Sequence, residues 1–534
     1  MPFVGELRPF QARARDQLLE WGRGLLAVTM GGGKTPVTIA ILEELLDREE
    51  VECGLIITPA SLKRQWNGSR GFPMFAPGAH VVVIDGDPDQ RREQYARARH
   101  WAEYIVLGYS QVLDDWDEVK RLPADFIVMD EVQAIKNPGS QRSKKIEKLL
   151  RPARNRGAMI LGLTGKPLEN KPEDVFHICS AIDPSVLGHP QIFDLTFIVR
   201  NKYGRPVRYP NMPLLKKTLD ANIMVRVDRE EIAEYLPERQ REQYLVPFDA
   251  PTFELYRIIV RDLYNALVEK TVSTSFDIAS HYGGNLISQA EAAHRGKIMA
   301  RLTCARMLCD HPMLLAMSAD LYSASVSGEM GALKAGSAYA HELLERGHLN
   351  ALPRGRGPKM GTIVADIRDI LNEDPANKVV LFSTFKPTLA WLADALKRTT
   401  TAVVYHGGVT TKKREEIREQ FNNDPATRVF LSSDAGGAGV DLPAGNHLIN
   451  YDLPFSAGQL EQRNARIDRM SSQHEDTLVV DYLMEGSVEE FYADIIDARE
   501  RTSAAAIDGR GRRSVELPTT SLTRFLEDWL EENG

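Results

Sequence analysis

The sequence predicts an α/β protein of two lobes, each a parallel sheet flanked by helices, with a helical insertion between them. Two observations carry this. Short apolar runs alternate with charged, helix-spaced stretches in the first third of the chain, and the same alternation returns near the C-terminal end. Several runs are apolar at nearly every position, as strands buried on both faces of a parallel sheet must be. Strand runs alternating with helical runs build βαβ units.

The first lobe is expected over residues 1–180. Its strand runs are "GLLAVTM", "GLIITPA", "HVVVIDG", "YIVLGYS", "FIVMDE" and "AMILGLTG", separated by stretches such as "PVTIAILEELLDREE". Residues 181–355 read as a helical insertion and linker. "PTFELYRIIVRDLYNALVEK" and "AHRGKIMARLTCARMLCDHPMLLAM" have helical spacing, and a Gly-, Ser- and Pro-rich stretch follows. The second lobe spans 356–497, with "KVVLFSTF", "TAVVYHG", "RVFLSSD", "HLINYDLP" and "TLVVDYL". Residues 498–534 form a tail with a basic turn and an amphipathic helix, "SLTRFLEDWLEEN", that docks on the body.

The 534 residues suffice for two or three domains at about 100–200 residues each. No apolar run approaches the ~20 residues a membrane helix needs, so no membrane partner is expected. The first residues, "MPFVGELRPFQ", lack a secretory pattern. Cys53, Cys179, Cys304 and Cys309 are too scattered for a disulfide framework, which fits a reducing cytoplasm. Cys304, Cys309 and His311 sit in an apolar helical setting and read as packing rather than metal ligation. A net charge of −8 does not exclude nucleic acid, because a local basic stripe decides that.

"LLAVTMGGGKTPVTIAI" reads as strand, glycine-rich loop and helix. Gly31, Gly32 and Gly33 let main-chain N–H groups close around phosphates at a helix N-terminus. Lys34 would reach the β- and γ-phosphates of ATP, and Thr35 would ligate Mg²⁺. Val28 stands where the phosphate-loop consensus has its first glycine. "FIVMDE" ends in two carboxylates. Asp130 suits the metal, and Glu131 suits orienting and deprotonating the attacking water. Strand alternation would send the two to different sides. Together these residues point to nucleotide hydrolysis.

Several segments resemble the Swi/Snf-type group of superfamily-two helicase-like ATPases, the double-stranded DNA translocases. "LRPFQ" resembles the adenine-reading glutamine motif, "IITPASLKRQWNGS" the Pro-x-Ser-Leu and Trp segment, and "DEVQAIKNPGSQRSK" the DEAH box. "LTGKPLENKPEDVFHI" resembles the third motif and "ARLTCARMLCDHPMLL" the helical His-Pro signature. "VFLSSDAGGAGVDLPAGNHLINYDLP" and "LEQRNARIDRMSS" are similar to the fifth and sixth motifs. The match runs in order from about residue 7 to 500.

The resemblance implies two RecA-like P-loop lobes with ATP bound between them, in a compact bacterial or phage form. It places Gln11 on adenine and Asp441 near the ribose. Arg466 and Arg469 become arginine fingers, expected on one helix face at i and i+3. Gln133 replaces the usual His of the box and links the nucleotide site to the third motif, Thr164 and Gly165. Lys166 replaces the usual second Thr of that motif, and Ser471 and Ser472 replace Gly-Gln after the sixth. Ser61, Lys63, Ser383, Thr384 and Ser433 would contact nucleic-acid phosphates without reading sequence. The implied function is ATP-dependent movement on double-stranded DNA by a monomer, with single-stranded DNA or RNA as alternative tracks. A strand-separating helicase and a non-hydrolysing nucleotide-binding scaffold are the rival readings. No appended reader module is evident.

Overall fold

In the computed structural model the described residues are 3–60, 62–68, 70–165, 172–201, 204, 206–269, 289–326, 336–350, 352, 355–434, 440–508, 514–516 and 522–533. They form two units. The first comprises Met1–Leu236, Arg469–Ser471 and Arg499–Leu517. The second comprises Pro237–Asp468, Ser472–Ala498 and Pro518–Gly534.

The first unit is built on a seven-stranded sheet. Its strands are β1 (Arg23–Val28), β2 (Gly54–Thr58), β3 (Val81–Val83), β4 (Tyr104–Gly108), β5 (Phe126–Met129) and β6 (Met159–Thr164). After the short strands β7 (Val199–Arg200) and β8 (Pro206–Pro210), β9 (Met224–Val227) completes it. The order is β3-β4-β2-β5-β6-β1-β9, and every pairing is parallel. β2, β4, β5 and β6 are buried at every position, which is why their sequences are unbroken apolar runs. Each of the six expected runs forms a strand.

The second unit holds β10 (Glu238–Val246), β11 (Val379–Phe382), β12 (Thr401–Tyr405), β13 (Thr427–Ser432), β14 (His447–Asn450) and β15 (Asp476–Met484). They pair in the parallel order β10-β15-β14-β11-β13-β12. β16 (Ser514–Glu516) instead pairs antiparallel with β8. The expected α/β class is observed, and the five runs of the later part are all strands.

The stretch expected to be a helical insertion is not one body. The chain divides between Leu236 and Pro237, and β7 to β10 lie inside the stretch read as helical. Arg226 interrupts the short β9, and the edge strand β10 is exposed at most of its positions and carries Arg and Glu in place of a continuous apolar run. The helices Ala250–Val268, Gln289–Asp310 and Met313–Val326 are as expected. Cys304 and Cys309 pack in the core of the second unit.

The tail helix Leu522–Asn533 docks through Leu522, Leu526 and Trp529. The Trp529 ring meets Tyr256 at 5.6 Å and Phe253 at 5.9 Å, both on helix Ala250–Val268. The Gly- and Ser-rich stretch 327–335 and the basic turn 509–513 lie outside the described residues. Among the described residues no helix is long and apolar enough to cross a membrane.

Candidate functional site: a phosphate loop, its carboxylates and a hydroxyl-bearing strand edge

β1 runs into the glycine loop, and helix Lys34–Asp47 follows with Gly33 at its N-cap. Gly31 and Gly33 have φ of +83° and +82°, a region that disfavours any side chain. A Cβ on Gly32 would lie 2.5 Å from Val28 Cγ1, so the glycine makes room for the buried valine at the unusual position. A Cβ on Gly33 would lie 2.3 Å from Gln11 Nε2. Gln11 is buried. Its Nε2 donates to Gly32 O at 3.2 Å and its Oε1 accepts from Arg8 N–H at 3.0 Å. Gln11 therefore braces the loop. No side chain caps the helix, so its first N–H groups stay available to an anion.

The third-motif glycine meets this loop from β6. A Cβ on Gly165 would lie 2.8 Å from Met30 Cγ, so the glycine makes room for Met30, and 3.6 Å from Lys34 Nζ, which places Gly165 beside the lysine ammonium. Thr164 pairs in register with Ala27 of β1. Thr35 is half-buried in the first helical turn. Residues 166–171, with Lys166, lie outside the described residues.

Asp130 follows the last residue of β5. Its Oδ2 accepts from Thr58 Oγ1 at 3.0 Å and from Trp66 Nε1 at 3.1 Å. Burial, then the neighbouring Glu131, pushes its pKa up to about 6, against the pull of Lys34. Such a carboxylate lacks a full counter-charge, and a hard divalent cation with oxygen ligands would supply it. Asp130, Thr35 and the anion-ready loop therefore fit Mg²⁺ with a triphosphate.

Glu131 diverges from Asp130, but not by strand alternation. β5 ends at Met129, and Glu131 adopts φ +49°, left-handed for a non-glycine residue. Gln133 Nε2 donates to Glu131 Oε2 at 2.5 Å. Gln133 Oε1 is buried with no hydrogen-bond partner among the described residues. The glutamine thus orients the carboxylate and keeps one acceptor open.

Lys63, expected on phosphate, is buried instead. Its Nζ donates to Ile84 O at 2.8 Å, Asp85 Oδ1 at 3.0 Å and Gln111 Oε1 at 3.3 Å. All its donors serve the fold. Ser61 lies outside the described residues.

In the second unit, Ser383 and Thr384 follow β11. Ser383 Oγ donates to Asp452 Oδ2 at 2.8 Å, and Thr384 Oγ1 donates to Asp452 Oδ1 at 2.5 Å. Ser433, after β13, has a buried Oγ with no hydrogen-bond partner among the described residues. Asp441 O accepts from Asn422 Nδ2 at 3.2 Å.

Arg466 and Arg469 do not share a helix face. Helix Ala457–Asn464 ends before them, and the chain turns through Ala465–Ile467. The turn sends Asp468 inward, where it holds Arg239 at 3.2 Å. Arg466 is nearly buried, with Nη1 3.5 Å from Val440 O. Arg469 is grouped with the first unit. The sequence reading missed Thr58 and Trp66 as holders of Asp130. A hydroxyl ending the neighbouring apolar run was the available signal for Thr58.

Two parallel-sheet units, one carrying a glycine phosphate loop with a carboxylate pair two strands away, define a nucleoside-triphosphate-binding protein. The SNF2-related domain matches residues 15–314, and the helicase conserved C-terminal domain matches 362–471. The first match covers more than half of the chain, which belongs to the SNF2-related family. It is 24% identical to mouse DNA repair and recombination protein RAD54B, over 95% of this chain and 57% of that one. It is also 24% identical to the putative ATP-dependent helicase/translocase YwqA of Bacillus subtilis, over 88% and 45%. The chain thus spans about half the length of these relatives. The Pyrococcus furiosus Hef helicase domain shares the fold, with a TM-score of 0.50, 16% identity and coverage of 91% and 97%.

Proposed function

We propose that this chain is an ATP-dependent motor that moves along double-stranded DNA. The supporting observation is the convergence of Lys34, Gly165 and the loop Gly31–Gly33 on one point of the first sheet, with Asp130 buried under the field of Lys34. Family membership and DNA-acting relatives support the track.

The loop N–H groups and Lys34 would bind the triphosphate, and Asp130 and Thr35 would hold Mg²⁺. Held there, such a cation would offset the negative charge that builds on the phosphoryl oxygens. Glu131, oriented by Gln133, accepts the proton of the attacking water. Arg466 and Arg469 supply guanidinium charge to the transition state, worth on the order of 10³–10⁵ in rate in other phosphoryl-transfer systems. Gln11 acts through the loop it braces, and Asp441 serves the ribose. Ser383, Thr384 and Ser433 lie along the duplex, and differential affinity between nucleotide states drives stepping. The motor works as a cytoplasmic monomer.

ATP turnover is measured with no nucleic acid, duplex DNA, single strands and RNA. Stimulation by duplex that disappears in Lys34→Ala is expected, and indifference of the wild-type protein to every nucleic acid overturns the reading. Displacement of a triplex strand without duplex opening separates translocation from strand separation.

A further inference from the structure

Arg463 lies outside the roles given above. It precedes the arginine turn and points into the second unit, where its side chain is 2% exposed. Its guanidinium makes a fork on Asp434, Nε to Oδ1 at 2.6 Å and Nη2 to Oδ2 at 2.8 Å. Nη1 donates to Asp452 O at 2.5 Å and reaches Asn450 Oδ1 at 3.4 Å. Nη2 lies 3.4 Å from both Thr384 Oγ1 and Asp452 Oδ1. One planar cation therefore touches the chain just beyond β11, β13 and β14, which are adjacent in the sheet.

Those strand ends carry the hydroxyls of the proposed DNA grip. Asp452 takes Ser383 Oγ, Thr384 Oγ1 and Thr384 N–H, the last at 2.7 Å. Asp434 follows Ser433, whose buried hydroxyl has no partner among the described residues. Two carboxylates face Arg463, and Arg306 lies 4.0 Å from Asp452, so the charges balance locally. No donor of Arg463 is left for a ligand phosphate. On the other side, Arg463 O accepts from Arg466 N–H at 3.0 Å, and Arg466 O accepts from Leu442 N–H at 3.1 Å.

We propose that Arg463 is a positioning residue that couples the arginine turn to the DNA-gripping strand edge through its fork on Asp434 and Asp452. It sets the spacing of Thr384 and Ser433 and, through its own carbonyl, the seat of Arg466. This rests on the motor reading. A lysine keeps the charge but not the planar fork, so it cannot hold three loops at once.

The test compares the wild-type protein with Arg463→Lys, Asp434→Asn and Asp434→Glu. The readouts are the duplex concentration giving half-maximal ATPase stimulation, the maximal rate, and thermal melting. Asp434 is about a third exposed, so its variants keep a folded protein available if Arg463→Lys does not fold. The half-stimulating duplex concentration is expected to rise about tenfold in Asp434→Asn, within the usual span of coupling between sites. Asp434→Glu is expected to recover most of that loss. If duplex does not stimulate the wild-type protein, the motor reading itself has failed. If duplex stimulates it, and Asp434→Asn responds at the same concentration, the positioning role alone is overturned. A fall in maximal rate and melting temperature with no shift in that concentration also overturns it.

Discussion

The indole N–H of Trp66 donates to the Asp130 carboxylate at 3.1 Å, across 64 residues of sequence. Trp66 is nearly buried and packs on Phe72, with ring centroids 6.2 Å apart. Phenylalanine would keep most of the apolar packing and lose the donor. Trp66→Phe is expected to cost on the order of 1.5–3 kcal/mol in urea unfolding, the usual penalty for removing a hydrogen bond to a charged group. It leaves Asp130 less able to stay ionised, so half-maximal ATP turnover should need more Mg²⁺. A magnesium titration of the ATPase checks this, and an unchanged midpoint speaks against Asp130 as the metal carboxylate.

Asp130 also sets a pH signature. Its pKa in the folded chain is about 6, above the ordinary carboxylate value of 3.8. The folded state therefore holds a proton that the unfolded chain has released, and stability falls as pH rises between those values. Above that window the ionised, buried carboxylate is a net cost. In magnesium-free buffer, Asp130→Asn is expected to unfold later than wild type at pH 7, by on the order of 3 kcal/mol for a shift of this size. The difference should shrink to nothing only below the ordinary carboxylate value, by about pH 3. Urea denaturation of both proteins across that range measures it, and a constant difference rejects the assignment.

Gly33 and Gln11 form a second testable pair. Gly33→Ala places a methyl carbon at φ +82° and 2.3 Å from Gln11 Nε2. The left-handed backbone alone costs roughly 1–2 kcal/mol for a residue with a Cβ. Gln11→Ala removes the clash but not that strain. The double variant is therefore expected to be more stable than the sum of the single effects, a non-additivity that chemical denaturation detects. ATP binding, followed by equilibrium dialysis, should stay weakened in both Gly33 variants, because the loop can no longer close as it does here.

The strands of both sheets and the phosphate loop were legible because each is a local pattern. Buried parallel strands need apolar residues at consecutive positions, and the loop needs adjacent glycines ahead of Lys34. β9 and β10 were not legible: Arg226 breaks the short run of β9, and β10, exposed at most of its positions, carries Glu238 and Arg241 where a buried strand has apolar residues. Roles set by long-range partners were hidden too. Nothing local to Lys63 says that Asp85 and Gln111 will take its ammonium, and nothing local to Arg463 announces Asp434 and Asp452. The spacing of Arg466 and Arg469 suggested a shared helix face, but Asp468 between them is drawn to Arg239, and the helix has already ended.

The internal commitment of Lys63 has a consequence in solution. A lysine on a DNA phosphate contributes to the salt dependence of binding, and its removal lowers the slope by about one. Lys63→Ala is expected to leave that slope unchanged. It should lower unfolding stability instead, by about 1–2 kcal/mol, less than for a fully buried pair because Asp85 is partly exposed. Duplex binding at several salt concentrations, with melting on the same samples, separates the two outcomes.

Lys359 and Glu489 pose a sharper case, since both are almost fully buried. Lys359 Nζ contacts both carboxylate oxygens of Glu489 at 2.8 Å, and one of them also accepts from Met484 N–H at 2.9 Å. The pair ties helix Pro358–Glu373 to the start of helix Val488–Asp508. Removing either partner alone leaves an uncompensated charge in the core, which costs about 3–5 kcal/mol. Lys359→Met and Glu489→Leu are each expected to destabilise by that amount. The double variant should return close to wild type, because two apolar side chains of similar volume no longer require either charge to be desolvated. Equilibrium denaturation of the four proteins gives the coupling energy directly. If the double variant is as unstable as the sum of the singles, the Met484 N–H left without its acceptor outweighs the relief, and the ion pair holds the backbone of β15 as well as the two helices.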